Sequence, residues 1–271
     1  MSKVIVLKTD NPIKGAIKAL EEINAKENIT KSSILIKPNY ITARVPSTGI
    51  TTDSRVIEGI IQYLQLNKMN DIIIGEGSGD CDTFLAYKVS GIYELGNKYN
   101  VKLIDLNKDE FIDVKVKEPL IINSYKLAKN IITNSIISVP KLKPHRLATV
   151  TLSIKNLMGA LANKGIAHKH IHKKLVDLYS VIKPDLAVID AIIAGEGNEK
   201  GAMPVEMNLI IAGTDLVAVD SVGSYLMGIN PKNVGHLVLA EKKRFGVSNL
   251  KNIEIIGEDI DKVKRTFIRT N

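Results

Sequence analysis

Several short charged motifs stand directly behind apolar runs in this sequence, the position where open α/β proteins meet their ligands. Lys37-Pro38-Asn39 follows the run Ser33–Ile36. Pro38 fixes the chain's exit direction, Lys37 offers a cation, and Asn39 offers directional hydrogen bonds. Gly75-Glu76-Gly77-Ser78-Gly79 closes the next apolar run. Its glycines can expose backbone amides to an anion and Ser78 adds a hydroxyl, while Glu76 can move a proton or, with Asp80 and Asp82, bind a hard cation. A structural turn with solvated acids explains the same residues. The run lacks both the GxGxxG spacing of a dinucleotide fingerprint and the GK[ST] ending of a P-loop.

A third group, Lys141-Leu142-Lys143-Pro144-His145-Arg146, leaves the run Ile136–Val139 and forms a candidate anion clamp with an imidazole able to exchange a proton. Lys155-Asn156 follows, and Lys155 either turns back toward the same place or points to solvent. In His168-Lys169-His170-Ile171-His172, a helix would put His168 and His172 on one face, whereas an extended chain would align all three imidazoles. These rings suit a transition metal, though no HExxH motif accompanies them. Asp190, Glu196, Asp215 and Asp220 are further candidates for a base or for hard-metal ligands, and Asp215 suits a helix N-cap equally well. The lone cysteine, Cys81, lies between Asp80 and Asp82, whose charges would discourage a thiolate.

Strands and helices alternate around these motifs. Strands are expected at Lys3–Leu7, Ser33–Ile36, Asp71–Ile74, Val101–Asp105, Ile136–Val139, Asp185–Asp190, Asn208–Ala212 and Ile253–Ile256, with a β-edge at Phe111–Val116. Helices are expected at Ile13–Asn24, Ser54–Leu66, Thr83–Ile92, Tyr93–Tyr99, Thr151–Leu161, His168–Val181, Asp215–Met227 and Val234–Ala240. This order predicts an α/β fold with a mainly parallel sheet covered by helices on both faces, with a small antiparallel or helical excursion. No low-complexity linker divides the chain, so residues 1–271 read as one domain or as two closely packed lobes. A faint echo joins Gly75-Glu76-Gly77 to Gly195-Glu196-Gly197, which recurrent turn chemistry explains as well as duplication does.

Composition narrows the function classes. The chain of 271 residues is 45% apolar and carries a formal charge of +8. The interval Lys141–Lys183 holds nine cations against the single acid Asp177, together with four of the five histidines. Such a run attracts phosphate, carboxylate or nucleic acid, or is simply a solvated face. Aromatic residues make up only 4% of the chain, which weakens a base-stacking platform. One cysteine excludes an internal disulfide and an iron–sulfur cluster held by this chain alone. No apolar run approaches the ~20 residues of a membrane-spanning helix, so no membrane partner is expected and the cytoplasm is the expected location.

Across almost the whole chain the order of motifs resembles the DUF362 family. The matching stretches are ILIKPN (34–39), IGEGSG (74–79), ISVPKLKPH ending at His145, TLSIKNLMG (151–159), PDLAVIDAI (184–192) and AGTDLVAVDSV (212–222). Where the family commonly shows KLKTH, this chain has Pro144 in place of the hydroxyl residue. The resemblance implies a Rossmann-like topology, through a distant likeness to the N-terminal domain of lactate racemase. Neither that enzyme's nickel-pincer cofactor nor the ferredoxin-like extension of some family members transfers to this sequence.

The leading expectation is a metabolic enzyme for a small carboxylated or phosphorylated molecule. Lys37, Lys143 and Lys155 would position negative charge, with Asn39, Ser78 and Asn156 orienting the ligand. His145 would exchange a proton, and Glu76 or Glu196 would supply the opposite function. A divalent metal on Asp190, Glu196, Asp215, His168 or His172 is an added expectation. The alternatives are a nucleic-acid-binding protein and a non-catalytic carrier of a small anion or metal.

Overall fold

The computed structural model describes residues 1–167, 169–199 and 202–270. Its twelve strands are β1 (Ser2–Lys8), β2 (Ile34–Lys37), β3 (Ile72–Glu76), β4 (Lys102–Asp105), β5 (Phe111–Lys115), β6 (Ser124–Ala128), β7 (Ser135–Ser138), β8 (Lys143–His145), β9 (Thr149–Thr151), β10 (Leu186–Glu196), β11 (Met203–Gly213) and β12 (Ile253–Gly257). Eight of them form one sheet in the order β12-β1-β11-β10-β7-β2-β3-β4. The block from β10 to β4 is parallel throughout, whereas β11 runs antiparallel to both β1 and β10. The fold is therefore α/β with a mixed, mostly parallel sheet flanked by helices. The antiparallel excursion is the separate hairpin β5–β6, and β8–β9 forms a second one.

Period-two alternation divides the sheet residues between two cores. Ile34, Ile36, Ile72, Ile74 and Ile137 pack on one face with the helices Pro12–Glu22 and Ser54–Leu66. Leu35, Ile73 and Ile136 face the opposite side, against the helices Ile171–Ile182, Leu216–Leu226 and Gly235–Lys242. Caps set several helix starts, among them the Asp53 side chain accepting from Arg55 N and Asp215 accepting from Val217 N and Ala218 N.

Two local expectations differ from the structure. Thr151–Leu161 is not one helix: Thr151 ends β9, Ser153–Asn156 makes one short helix, and Leu157–Ala160 tightens into a 3₁₀ turn. The cause is close packing, since the Gly159 carbonyl abuts Gly77, where a Cβ would lie 2.2 Å from that oxygen. The β8–β9 hairpin is also unexpected, because strands of three residues, one containing Pro144, carry no readable alternation. His168, the expected start of a helix, lies outside the described residues, and the helix begins at Ile171.

Candidate functional site

The parallel block contains a reversal of strand order. From β2 the chain proceeds outward to β3 and β4, whereas β7 and β10 lie on the other side of β2. The helices that follow β2 and β7, Ser54–Leu66 and Ile171–Ile182, cover opposite faces of the sheet. A crevice consequently opens beyond the carboxyl ends of β2 and β7, where Lys37 and Ser138 are register partners.

Asn156 is wedged into this opening. Its Nδ2 donates to Lys37 O at 3.0 Å and to Ser138 Oγ at 3.2 Å, and its Oδ1 accepts from Lys37 Nζ at 3.3 Å and Asn39 Nδ2 at 3.2 Å. Lys37 Nζ also pairs with Glu76 Oε1 at 2.6 Å, both side chains being buried. Glu76 accepts further bonds from Gly77 N at 2.7 Å and Tyr40 N at 2.9 Å, so its charge is well compensated. Gly159 closes over this pair: a Cβ there would sit 2.4 Å from Glu76 Oε1 and 2.7 Å from Lys37 Nζ. Asn39 Oδ1 is buried without a hydrogen-bond partner among the described residues.

Lys155 and Asn156 ride on the short helix Ser153–Asn156, whose start is fixed from a distance. Asp220, fully buried on the helix Leu216–Leu226, accepts from Ser153 N at 2.8 Å, Ser153 Oγ at 2.6 Å and Ile154 N at 3.0 Å. Burial pushes the Asp220 carboxyl up to about 7 against the lowering effect of those bonds. Lys155 is half-buried, with no hydrogen bond or ion pair among the described residues. Burial lowers it to about 8, with the Lys37 charge reinforcing the shift and Glu199 opposing it.

The hairpin β8–β9 supplies His145. Its Nδ1 accepts the amides of Leu147 and Ala148, each at 3.1 Å, which places the neutral ring's proton on Nε2. Burial, followed by the charge of Lys155, pushes this imidazole down to about 3. Nε2 lies 3.9 Å from Glu199 Oε1. Burial alone would raise Glu199, but backbone amide donors, the adjoining His145 and the side-chain hydrogen bond from Arg146 hold it at about 2. Arg146 Nε donates to the same carboxylate at 3.2 Å.

These groups surround a cleft of about 380 Å³ whose lining includes Asn39, Glu76, His145, Lys155, Asn156 and Glu199, with Arg146 and Lys164 also present. Lys37 stands immediately behind it. Six of the expected residues thus converge, while the others take different places. Lys143 is sealed beneath, donating to Ile50 O at 2.6 Å, and burial together with Lys155 and Lys141 lowers it to about 7. Ser78 is buried between cleft-lining Gly77 and Gly79, and its amide donates to Thr83 Oγ1 at 3.2 Å.

The expected metal ligands are dispersed. Asp190 is buried against Lys141 at 2.6 Å. Glu196 accepts Ile268 N at 2.9 Å near the C-terminal segment. Asp215 caps its helix and also accepts from Ser2 Oγ and Val247 N. His172 Nδ1 lies 3.2 Å from His236 Nδ1 beside a separate groove of about 590 Å³, and His168 lies outside the described residues. Among the described residues, no three His, Cys, Asp or Glu side chains converge on a metal position. Cys81 is half-buried, and burial raises its thiol pKa.

Sequence reasoning missed Glu199 in the cleft and the anchoring role of Asp220. Glu199 stands after a turn with no apolar run before it, and Asp220 lies within an apolar helical stretch. A carboxylate so placed was the one available signal.

A polar crevice at the switch point of a mostly parallel sheet is a ligand-binding architecture in α/β proteins. The chain belongs to the DUF362 family, described as a domain of unknown function, which it matches over residues 34–225. That span contains every residue lining the cleft. A thylakoid-associated protein of Synechocystis sp. is 25% identical over 244 residues, covering 84% of this chain and 73% of that protein. The lactate racemase apoprotein from Thermoanaerobacterium thermosaccharolyticum is similar in structure with a TM-score of 0.47 and 10% identity, covering 83% of this chain. This chain spans 57% of the racemase chain's length. No described helix is long and apolar enough to cross a membrane.

Proposed function

We propose that the cleft is the active site of an enzyme acting on a small carboxylated or phosphorylated molecule. The observation that carries this reading is the ammonium of Lys155. Neighbouring cations are matched internally, Lys37 by Glu76, Lys141 by Asp190 and Arg146 by Glu199. Lys164 donates to Asn107 and Lys143 to Ile50 O. Lys155 alone in this group has no partner among the described residues, so an anionic group supplies the missing charge.

Asn39 orients that ligand from the floor, while Asn156, whose amide is committed to Lys37, Asn39 and Ser138, holds the floor in place. The Nε2 proton of His145 makes a neutral donor for oxygen that gains negative charge during reaction. With Nδ1 occupied by two amides, His145 acts as a donor, not as the proton exchanger expected from sequence. Glu76 holds Lys37 in place, and Glu196, at the end of β10 and bonded to the C-terminal segment, has no part in this chemistry. Binding of nucleic acid has less support, because Lys141 and Lys143 are 0% and 1% exposed and do not contribute to a solvated basic stripe.

Inorganic phosphate and acetate serve as probes in thermal melts and calorimetry. Both should stabilise the wild-type protein, with the effect largely lost in folded Lys155→Met and weakened in His145→Asn. Undiminished stabilisation in folded Lys155→Met would reject the assignment. Salt-sensitive binding of generic nucleic acid that persists in His145→Ala would favour the alternative.

A further inference from the structure

We infer that the side-chain amine of Lys155 is a nucleophile that forms an imine with a small aldehyde or ketone bearing a carboxylate or phosphate. This rests on the reading of the cleft as an anion site and names its substrate class. The Nζ lone pair forms the C–N bond, the carbonyl C–O bond breaks, and the oxygen leaves as water carrying the two amine protons. The step therefore needs no oxidant, reductant or further reactant.

Position comes first. Lys155 lines the cleft and is free of hydrogen bonds and ion pairs among the described residues, so its amine is not committed elsewhere. Lys143 supplies the contrast. Its pKa is lowered as well, yet the residue is 1% exposed and its Nζ donates to Ile50 O, so a substrate does not reach it. Lys155 also stands on a firm base, because Asp220 takes three hydrogen bonds from the turn that begins its helix.

The surroundings favour the same step. A pKa of about 8 leaves about a tenth of the amine neutral at pH 7, about 300 times the fraction for an ordinary lysine at 10.5. His145 lines the same cleft and carries its proton on Nε2, a neutral donor for a carbonyl oxygen that gains charge, and its depressed pKa keeps it neutral. Condensation through the protonated imine retains a positive charge where the ammonium was, so the substrate's anionic group stays matched. Arg146 and Lys164 line the same cleft, beside the acids Glu76, Asp80 and Glu199.

The test treats wild-type protein near neutral pH with glyoxylate or glyceraldehyde 3-phosphate, reduces any imine with borohydride, and maps adducts by peptide mass spectrometry. Lys155 should be labelled at least about tenfold faster than exposed lysines, with excess inorganic phosphate suppressing the reaction and K155R abolishing it at that position. Rates are compared among lysines of the wild-type chain, so the result stands even if K155R fails to fold. Labelling of Lys155 no faster than surface lysines, with phosphate stabilisation intact, overturns the nucleophile and leaves the anion site standing. Absence of both labelling and phosphate stabilisation overturns the two together.

Discussion

Among the described residues, two lysine–carboxylate pairs are buried, each with an N–O distance of 2.6 Å and a lysine that is 0% exposed. Lys37–Glu76 stands at the back of the crevice, surrounded by the side-chain amide of Asn156 and the backbone amides of Tyr40 and Gly77. Lys141–Asp190 is closed in, and Asp190 receives the amides of Asp53 at 2.7 Å and Ile192 at 3.0 Å. It thereby ties the start of the helix Ser54–Leu66 to the sheet. Burial of an ion pair therefore does not mark a site. What distinguishes the first pair is its place at the reversal of strand order and its contact with side chains that face a cavity.

The largest effect should come from breaking either pair on one side only. Lys141→Met and Lys37→Met should each cost about 3–5 kcal/mol in chemical denaturation, because each leaves a carboxylate buried without its cation. The contrast sharpens in pseudo-wild-type backgrounds stabilised elsewhere: Lys37→Met should also lose phosphate stabilisation, whereas Lys141→Met should retain it. Equal loss in both would erase the distinction.

Gly159→Ala should have an intermediate effect confined to the crevice-side pair. The added methyl group falls within 2.7 Å of both Lys37 Nζ and Glu76 Oε1 and should cost about 1–3 kcal/mol, read from the shift in denaturation midpoint. An unchanged midpoint would mean that this pair has room to move.

The smallest expected effect is one of pH. The pKa of Lys155 in the fold, about 8, lies below its ordinary 10.5, so the folded chain binds fewer protons between those values. Stability should rise from about pH 8 toward 10.5 on this group's account, and be flat below 8. Lys155→Met should lose part of that rise, with Lys143, lowered to about 7, supplying a remainder. A folded Lys155→Met variant with the full alkaline rise would show that Lys155 is more solvated than its surroundings imply.

Much of this architecture was legible because short buried strands declare themselves as apolar runs closed by Pro or Gly. Ile34–Lys37, Ile72–Glu76 and Ser135–Ser138 lie within a residue or two of their expected bounds, and their exits carry Lys37, Asn39 and Glu76 into the crevice. The arrangement beyond the strands was less legible. Three-residue β8 and β9 are defined by pairing to each other, and the turn at Leu157–Ala160 is defined by the close approach of Gly159 to a distant ion pair. The bonds from Ser153 to Asp220 span 67 positions, a relation that periodicity does not encode. The two GEG turns show the same limit, since Glu76 faces the cleft and Glu196 binds the C-terminal segment despite identical neighbours.

The placement of β1 has a consequence for biosynthesis. Its partners are Leu209–Gly213 on one side and Ile253–Gly257 on the other, both late in the chain. This strand thus leaves the ribosome well before either strand partner, its apolar residues and open backbone groups unpaired until β11 has followed. Chaperone attention to the nascent chain should concentrate on this segment, and its burden should ease only when translation has passed β11.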